Sequence, residues 1–249
     1  MNGADIIEIH EWHPLTRFSL THPFFSVNSN TLIYTWIALA VLMLFAFITN
    51  IMLSRRSSTA RFLILSLVRS FVNMTQQALG HFSYNHTVFI TALFLFIFLC
   101  NTVALIPYVQ EATRDLNTTF ALGIISFIYV QWYAIKTHGI VEYIKEYTSP
   151  IFLMAPLHLI SKISTVISMS FRLFGNIFGS SIILHIYTML QEQSIIFQLI
   201  GLAGLNVLMT AFFILFEGFL QAFVFTMLAL TYLGIAVTHD EIAKETAHA

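Results

Sequence analysis

Two apolar stretches near the carboxyl-terminal end contain polar residues whose types and spacing could do ion chemistry inside a membrane. Arg172 is the one full charge in the apolar stretch 163–190, and Asn176 follows four residues later, on the same face of a helix. An arginine at the bilayer centre costs about 2.5 to 3.5 kcal/mol on insertion scales, and it stays protonated there. This cost indicates a functional site; the structural alternative is an arginine paired with an internal carboxylate for folding alone.

A second polar pair lies in the apolar stretch 195–237, where Glu217 and Gln221 are again four residues apart. Glu217 can hold or release a proton, and Gln221 can form hydrogen bonds with an arginine or with its partner. His185, further along the first stretch, could relay protons near neutral pH. The structural alternatives are a self-satisfied Glu–Gln pair between packed helices and a histidine that packs through one hydrogen bond.

The composition fixes the class of protein. Of 249 residues, 57% are hydrophobic and only 9% are Asp, Glu, Lys or Arg, against about a quarter charged in a soluble domain. So few charges could not cover a water-soluble surface, and the sequence therefore predicts a polytopic helical membrane protein. The net charge of −1 argues against nucleic acid as a partner, and the single Cys100 excludes a disulfide framework within the chain. We expect no cofactor and no metal.

The hydrophobic pattern predicts one membrane domain over 1–249, with a polar start and a polar tail. Arg55, Arg56, Arg61 and Arg69 follow the first span, which places that side in the cytoplasm and the amino terminus outside. The predicted segments are a polar amino-terminal segment 1–30, helix 31–54, an amphipathic surface helix 58–80, helices 86–106, 118–137, 156–190 and 195–237, and a polar tail 238–249.

The last two predicted helices are too long for a simple span. At about 1.5 Å per residue, the segment 195–237 would reach roughly twice the hydrocarbon thickness. Each long segment must either contain a hidden turn or tilt strongly, and the absence of proline from both apolar stretches favours tilt.

Several motifs together resemble one family. The segment FRLFGN (Phe171–Asn176), the later LQAFVFTMLALTYLGIAV, and the earlier NTVALIPY and DLNT are similar to segments of F-type ATP synthase a subunits, in the same order and from about Leu32 onward. The resemblance implies an all-α fold: one transmembrane helix, an amphipathic surface helix, a transmembrane hairpin and two long tilted helices that pack against a rotor ring.

The resemblance also implies a function. In that family, protons pass through two offset half-channels at the interface with the ring of c subunits, and their flow is coupled to rotation and to ATP synthesis or hydrolysis. The chain would bind no nucleotide and would not be an enzyme by itself. Its implied partners are the c-subunit rotor ring, the peripheral-stalk b subunits, other F-type ATP synthase subunits and membrane lipid. We expect the bacterial inner (plasma) membrane, with the mitochondrial inner membrane as the alternative.

By the same resemblance, Arg172 would be the charge that faces the rotor, with Asn176 and Gln221 beside it. Glu217 and His185 are candidates for the external half-channel, with Glu111 and Asp115 at its mouth. His158, fourteen residues before Arg172, is a candidate for the cytoplasmic half-channel. Whether the coupling ion is a proton or sodium is set by the rotor's own site.

The chain departs from the commonest family pattern at two positions. Many relatives have an acidic residue seven positions before the glutamine, where this chain has Ile214 and then Glu217 three residues later. Nine residues after the arginine, where an ionisable residue is common, this chain has Ser181, and His185 follows four later. Both changes are about one helical turn, and between antiparallel helices they either compensate or disrupt the pair.

Two other functions would leave different patterns in the sequence. A free-standing secondary transporter or ion channel would predict inverted repeats and broken helices around a midplane site, and the sequence shows no evident sign of either. A histidine–metal membrane enzyme is suggested by ten histidines, but no H-x-x-x-H or H-E-x-x-H pair occurs.

Overall fold

The computed structural model describes residues 11–12, 27–54, 59–105, 111–143, 153 and 155–247, nearly all of them helical. Two-residue strands β1 (Glu11–Trp12) and β2 (Val27–Asn28) pair antiparallel. The helices are α1 (Ser29–Ser54), α2 (Thr59–Leu79), α3 (Tyr84–Thr102), α4 (Leu116–His138), α5 (Ala155–Gln193), α6 (Ile195–Ile200), α7 (Asn206–Thr210) and α8 (Glu217–Ala247). Most of the predicted segment 1–30 lies outside the described residues, as do Arg55 and Arg56, two of the arginines used to predict the orientation.

Within the described residues, five stretches are long and apolar enough to cross a membrane, so the prediction of an all-α polytopic membrane protein is confirmed. They are Ser29–Ser54, Tyr84–Leu105, Leu116–His138, Ala155–Gln193 and Asn206–Val237. Helix α2 is not one of them. Its residues Phe71 and Leu79 are buried against the protein, whereas Phe62 and Leu63 are exposed.

The two long carboxyl-terminal segments differ in continuity. Helix α5 runs unbroken for 39 residues, which is about 58 Å at the usual rise per residue. The segment after it is interrupted at Gly201–Leu205, where Gly204 has φ of 101°. Glycine adopts such a conformation at little steric cost, so a break needs no proline. This segment therefore contains the hidden turn that the sequence left open, although the absence of proline favoured tilt.

A π-helical turn, Ala211–Phe216, follows the break and ends where α8 begins. The break at Gly201–Leu205 precedes the candidate span Asn206–Val237. It therefore lies outside the span that contains Glu217 and Gln221, unlike the broken helices of a transporter's midplane site.

Helix α8 occupies the centre of the bundle. It packs against α2, α3, α4 and α5. The main core joins Ile97 of α3, Leu122 of α4, Leu173 of α5 and Phe225 and Leu230 of α8, all of which are buried. Helix α1 is peripheral by comparison, because Ala38 is its one buried residue. The positions of α5 and α8 are thus fixed by the same core.

The contact between α2 and α8 depends on a glycine. A Cβ at Gly234 would lie 2.7 Å from the carbonyl oxygen of Ala78. This is shorter than the van der Waals contact distance between a carbon and an oxygen atom. We expect Gly234→Ala to force the two helices apart and to lower the free energy of unfolding by about 1 to 3 kcal/mol. Thermal denaturation in detergent measures the loss. Gly175→Ala is the matched control, because a Cβ there meets no atom within 4 Å; equal stability of the two variants would contradict the close packing.

Candidate functional site

The two polar sets predicted from the sequence meet on facing helices. Asn176 Nδ2 donates a hydrogen bond of 2.5 Å to Gln221 Oε1, and Ser180 Oγ donates one of 2.6 Å to Glu217 Oε2. Since 176 and 180 are one turn apart on α5, and 217 and 221 are one turn apart on α8, the bonds form consecutive rungs of an antiparallel ladder. Gln221 therefore pairs with Asn176 across the helices.

These side chains line a groove of about 480 Å³ between α5 and α8. Arg172, Asn176, Glu217 and Gln221 supply its polar groups. The remaining lining is apolar and largely aromatic, formed by Phe212, Phe213, Phe216, Leu220 and Val224. Charged and amide groups thus sit in a mostly apolar wall, where electrostatic interactions are stronger than in water.

Two hydrogen-bond donors in this groove lack acceptors. Within the described part of the chain, Arg172 has no hydrogen-bond or ion-pair partner, and its side chain is exposed on α5. Gln221 is only 3% exposed, yet its Nε2 makes no hydrogen bond. A buried donor without a partner is unfavourable. Among the described residues, Arg172 forms no ion pair with a carboxylate. The structural alternative, an arginine paired internally for folding alone, therefore does not describe this site.

The face of α5 beside Arg172 is sparsely covered. A Cβ at Gly175 or at Gly179 would meet no atom within 4 Å. Small residues spaced four apart allow another helix to approach closely in a membrane. Arg172 and this sparsely covered glycine face lie next to each other on α5, and Gln221 lies on α8, across the groove.

Comparison with known proteins decides the family. The model of the family described as ATP synthase A chain matches residues 32–234. This chain belongs to that family. The resemblance found in the sequence is confirmed, and with it the broad assignment to proton transport in the membrane sector of an ATP synthase.

Three similar curated relatives of this chain are bacterial proteins. ATP synthase subunit a 1 of Crocosphaera subtropica is 32% identical over 232 residues, covering 90% of this chain and 94% of that protein. ATP synthase subunit a of Desulforamulus reducens is 28% identical over 226 residues, covering 86% of this chain and 82% of that protein. ATP synthase subunit a of Nitratiruptor sp. is 38% identical over 157 residues, covering 61% and 65% respectively.

A second cavity, of about 250 Å³, lies between α4, α5 and α8. Its α5 lining comes from residues 161–169, before Arg172, and its α8 lining from 229–236, after Gln221. It is therefore on the opposite side of Arg172 from Glu217. At this cavity Gln131 Oε1 accepts hydrogen bonds from Tyr143 Oη at 2.5 Å and from Lys162 Nζ at 3.4 Å.

The remaining predicted site residues lie apart from the ladder. His185 is exposed on α5, and it lines neither the groove nor the second cavity. His158 is exposed in the first turn of α5. Glu111 precedes the 3₁₀ turn Ala112–Arg114 in the loop between α3 and α4. Burial raises the pKa of the Glu111 carboxyl, against its own backbone hydrogen bond and Arg114, which both lower it.

Asp115 has a structural role. Its Oδ1 accepts a hydrogen bond of 2.9 Å from the backbone N–H of Asn117 and so caps α4. Its Oδ2 accepts one of 3.0 Å from Thr31 Oγ1, which ties α1 to the same point. Both carboxylate oxygens are therefore engaged in holding helices.

Sequence reasoning missed three residues near the site. Ser180 lies four residues after Asn176, so helical periodicity alone could have placed it on the same face. Asn101 and Thr113 are buried and hydrogen-bonded to each other at 2.6 Å. An asparagine inside the apolar run 86–106 was a signal that the residue pattern offered.

We expect Asp115→Ala to lower the free energy of unfolding by about 0.5 to 2 kcal/mol, the usual effect of losing an N-cap. Asp115→Asn keeps a good cap and should retain most of the stability, as measured by thermal denaturation. Both variants should keep proton pumping in the assembled complex. Loss of pumping in the stably folded Asn variant would instead assign the carboxylate to proton transfer.

Proposed function

We propose that this chain translocates protons through two offset half-channels at its interface with a ring of c subunits, and couples their flow to rotation and to ATP synthesis or hydrolysis. The observation that carries the proposal is the pair of unsatisfied donors, Arg172 and Gln221 Nε2, beside the uncovered glycine face of α5. Neither donor has an acceptor within the described chain, and the exposed Arg172 side chain is accessible to one from outside. A carboxylate on a rotor helix has the required charge and can lie against that face.

Arg172 would act as a fixed charge between the half-channels. It attracts each rotor carboxylate once that group has lost its proton, and it repels protons that would otherwise pass directly from one side to the other. The attraction has to be transient, because a permanent ion pair in a low-dielectric site would stop rotation. The amides of Asn176 and Gln221 offer alternative hydrogen bonds, which weaken the dependence on a single ion pair.

The external half-channel is assigned to the groove that contains Glu217. Glu217 exchanges the proton there, and Ser180 holds its carboxylate at the wall. His185 is five residues further along α5 toward the external end, and Glu111 lies in the external loop, so both are candidates for steps nearer the mouth. We assign Asp115 to helix capping, because both of its oxygens already accept hydrogen bonds.

The cytoplasmic half-channel is assigned to the second cavity, between α4, α5 and α8. Ser161 and Thr165 contribute hydroxyl groups to its wall on the same helix as Arg172. His158 lies about one turn before Ser161, at the cytoplasmic end of the helix in the predicted orientation. It is the candidate for proton exchange with that side.

The chain would act as a subunit without a nucleotide site. Its partners would be the c-subunit rotor ring, the peripheral-stalk b subunits, other subunits of the F-type ATP synthase and lipid. The bacterial relatives support the bacterial plasma membrane as its location. They give no support to the mitochondrial alternative.

Arg172→Ala tests the proposal in membrane vesicles that hold the assembled complex. ATP-driven proton pumping should fall to the background of vesicles without the complex, because the fixed charge is lost while the complex still assembles. Arg69→Ala is the matched control, since it removes one positive charge from an exposed position on α2. Arg172→Ala vesicles that pump at the wild-type rate would refute the role given to Arg172.

The glycine face gives a size-dependent prediction. Gly175→Leu should leave the fold of this chain intact, because there is open space around the position. It should nonetheless reduce pumping or capture of the rotor ring, since the larger side chain holds a partner helix away. Gly175→Ala should have a much smaller effect. Copurification of the c subunit measures capture of the rotor ring, and proton pumping per complex measures activity. Equal results for Gly175→Leu and Gly175→Ala would mean that no helix approaches this face.

A further inference from the structure

A buried polar bridge connects the external loop to the start of α8. Thr113 Oγ1 donates a hydrogen bond of 2.6 Å to Asn101 Oδ1, and Asn101 Nδ2 donates one of 3.2 Å to the carbonyl oxygen of Gly218. Asn101 is 1% exposed and Thr113 is fully buried. The bridge joins three separate segments: α3, the 3₁₀ turn Ala112–Arg114 and α8.

The bridge ends at the residue that follows Glu217. A Cβ at Gly218 would lie 3.1 Å from the Cβ of Asn101, so α3 and α8 are in close contact at this height. Just before it, the π turn Ala211–Phe216 replaces the regular α-helical hydrogen-bond pattern. Such turns occur frequently at functional sites, and they change the direction of the side chains that follow. Hydrogen bonds from outside the helix therefore help to fix its backbone where Glu217 emerges.

We propose that Asn101 and Thr113 are positioning residues for Glu217. They act through the Gly218 backbone and fix the height and rotation of α8, so that the Glu217 carboxylate stays on Ser180 at the groove wall. Neither is hydrogen-bonded to that carboxylate. The inference rests on the proposed function, because it assigns a role to Glu217 in proton transfer.

The chemistry at position 101 suits this role. An asparagine side chain can accept from a hydroxyl and donate to a carbonyl at the same time, as it does here. An apolar residue could fill the space but could not join the two segments. In a membrane interior, such a bond also avoids leaving the amide unsatisfied.

The first test compares threonine variants in the assembled complex. Thr113→Val keeps the shape of the side chain but removes its hydroxyl, so it should reduce passive proton flux per assembled complex by about tenfold. Thr113→Ala should give a similar loss without added bulk, and Thr113→Ser should restore most of the flux. Thr119→Val is the matched control: Thr119 is equally buried, but its hydroxyl bonds to Leu116 O within its own helix.

A double-variant cycle tests the route through Glu217. If Thr113 acts by holding Glu217 on Ser180, then Thr113→Val combined with Ser180→Ala should lose little more flux than Ser180→Ala alone. Independent effects would multiply and would contradict the inference. A smaller amount of complex with normal flux per complex would also overturn it, since that result describes folding only.

The outcome for this bridge can be separated from the outcome for the proposed function. If the Glu217→Gln variant conducts protons like the wild type, Glu217 has no role in proton transfer. Loss of flux in Glu217→Gln together with normal flux in Thr113→Val and Thr113→Ala would reject only the positioning role.

Discussion

Polar groups inside a membrane must find their partners within the protein, because lipid offers none. This constraint organises the contact between α5 and α8. Asn176 pairs with Gln221, and Ser180 pairs with Glu217. Two groups at this contact stay without a partner. The Arg172 guanidinium and the Gln221 Nε2 amide have no acceptor in the described chain. Two further buried hydroxyls on these helices, Ser170 Oγ and Thr226 Oγ1, also lack a hydrogen-bond partner in the described chain.

The composition was enough to predict an all-α membrane protein, and helical spacing was enough to group Arg172 with Asn176 and Glu217 with Gln221. The rungs between the helices could not be predicted. Periodicity tells which face of a helix a residue occupies, but the height at which two antiparallel helices cross depends on core packing over their whole length. The relation of Glu217 to His185, which the sequence left open, illustrates the limit: the crossing height brings Ser180 to Glu217, and His185 does not line the groove.

Backbone irregularities were also beyond the sequence. Gly204 resembles other glycines of the apolar segments, yet it alone among them has a positive φ. Whether a glycine breaks a membrane helix depends on what surrounds it, since a neighbouring helix can hold the same residue in a regular turn. Asn101 differs in kind. A polar residue inside an apolar run indicates a buried hydrogen bond. Its two partners, Thr113 and the Gly218 carbonyl, could not be predicted, because they come from other segments of the chain.

The central place of α8 also bears on how the protein is made. This helix is at the carboxyl-terminal end of the chain, yet it packs against α2, α3, α4 and α5 and contributes Phe225 and Leu230 to the core. During synthesis the earlier helices leave the ribosome before the element that holds them together. The core is therefore completed only once α8, Glu217–Ala247, has been translated.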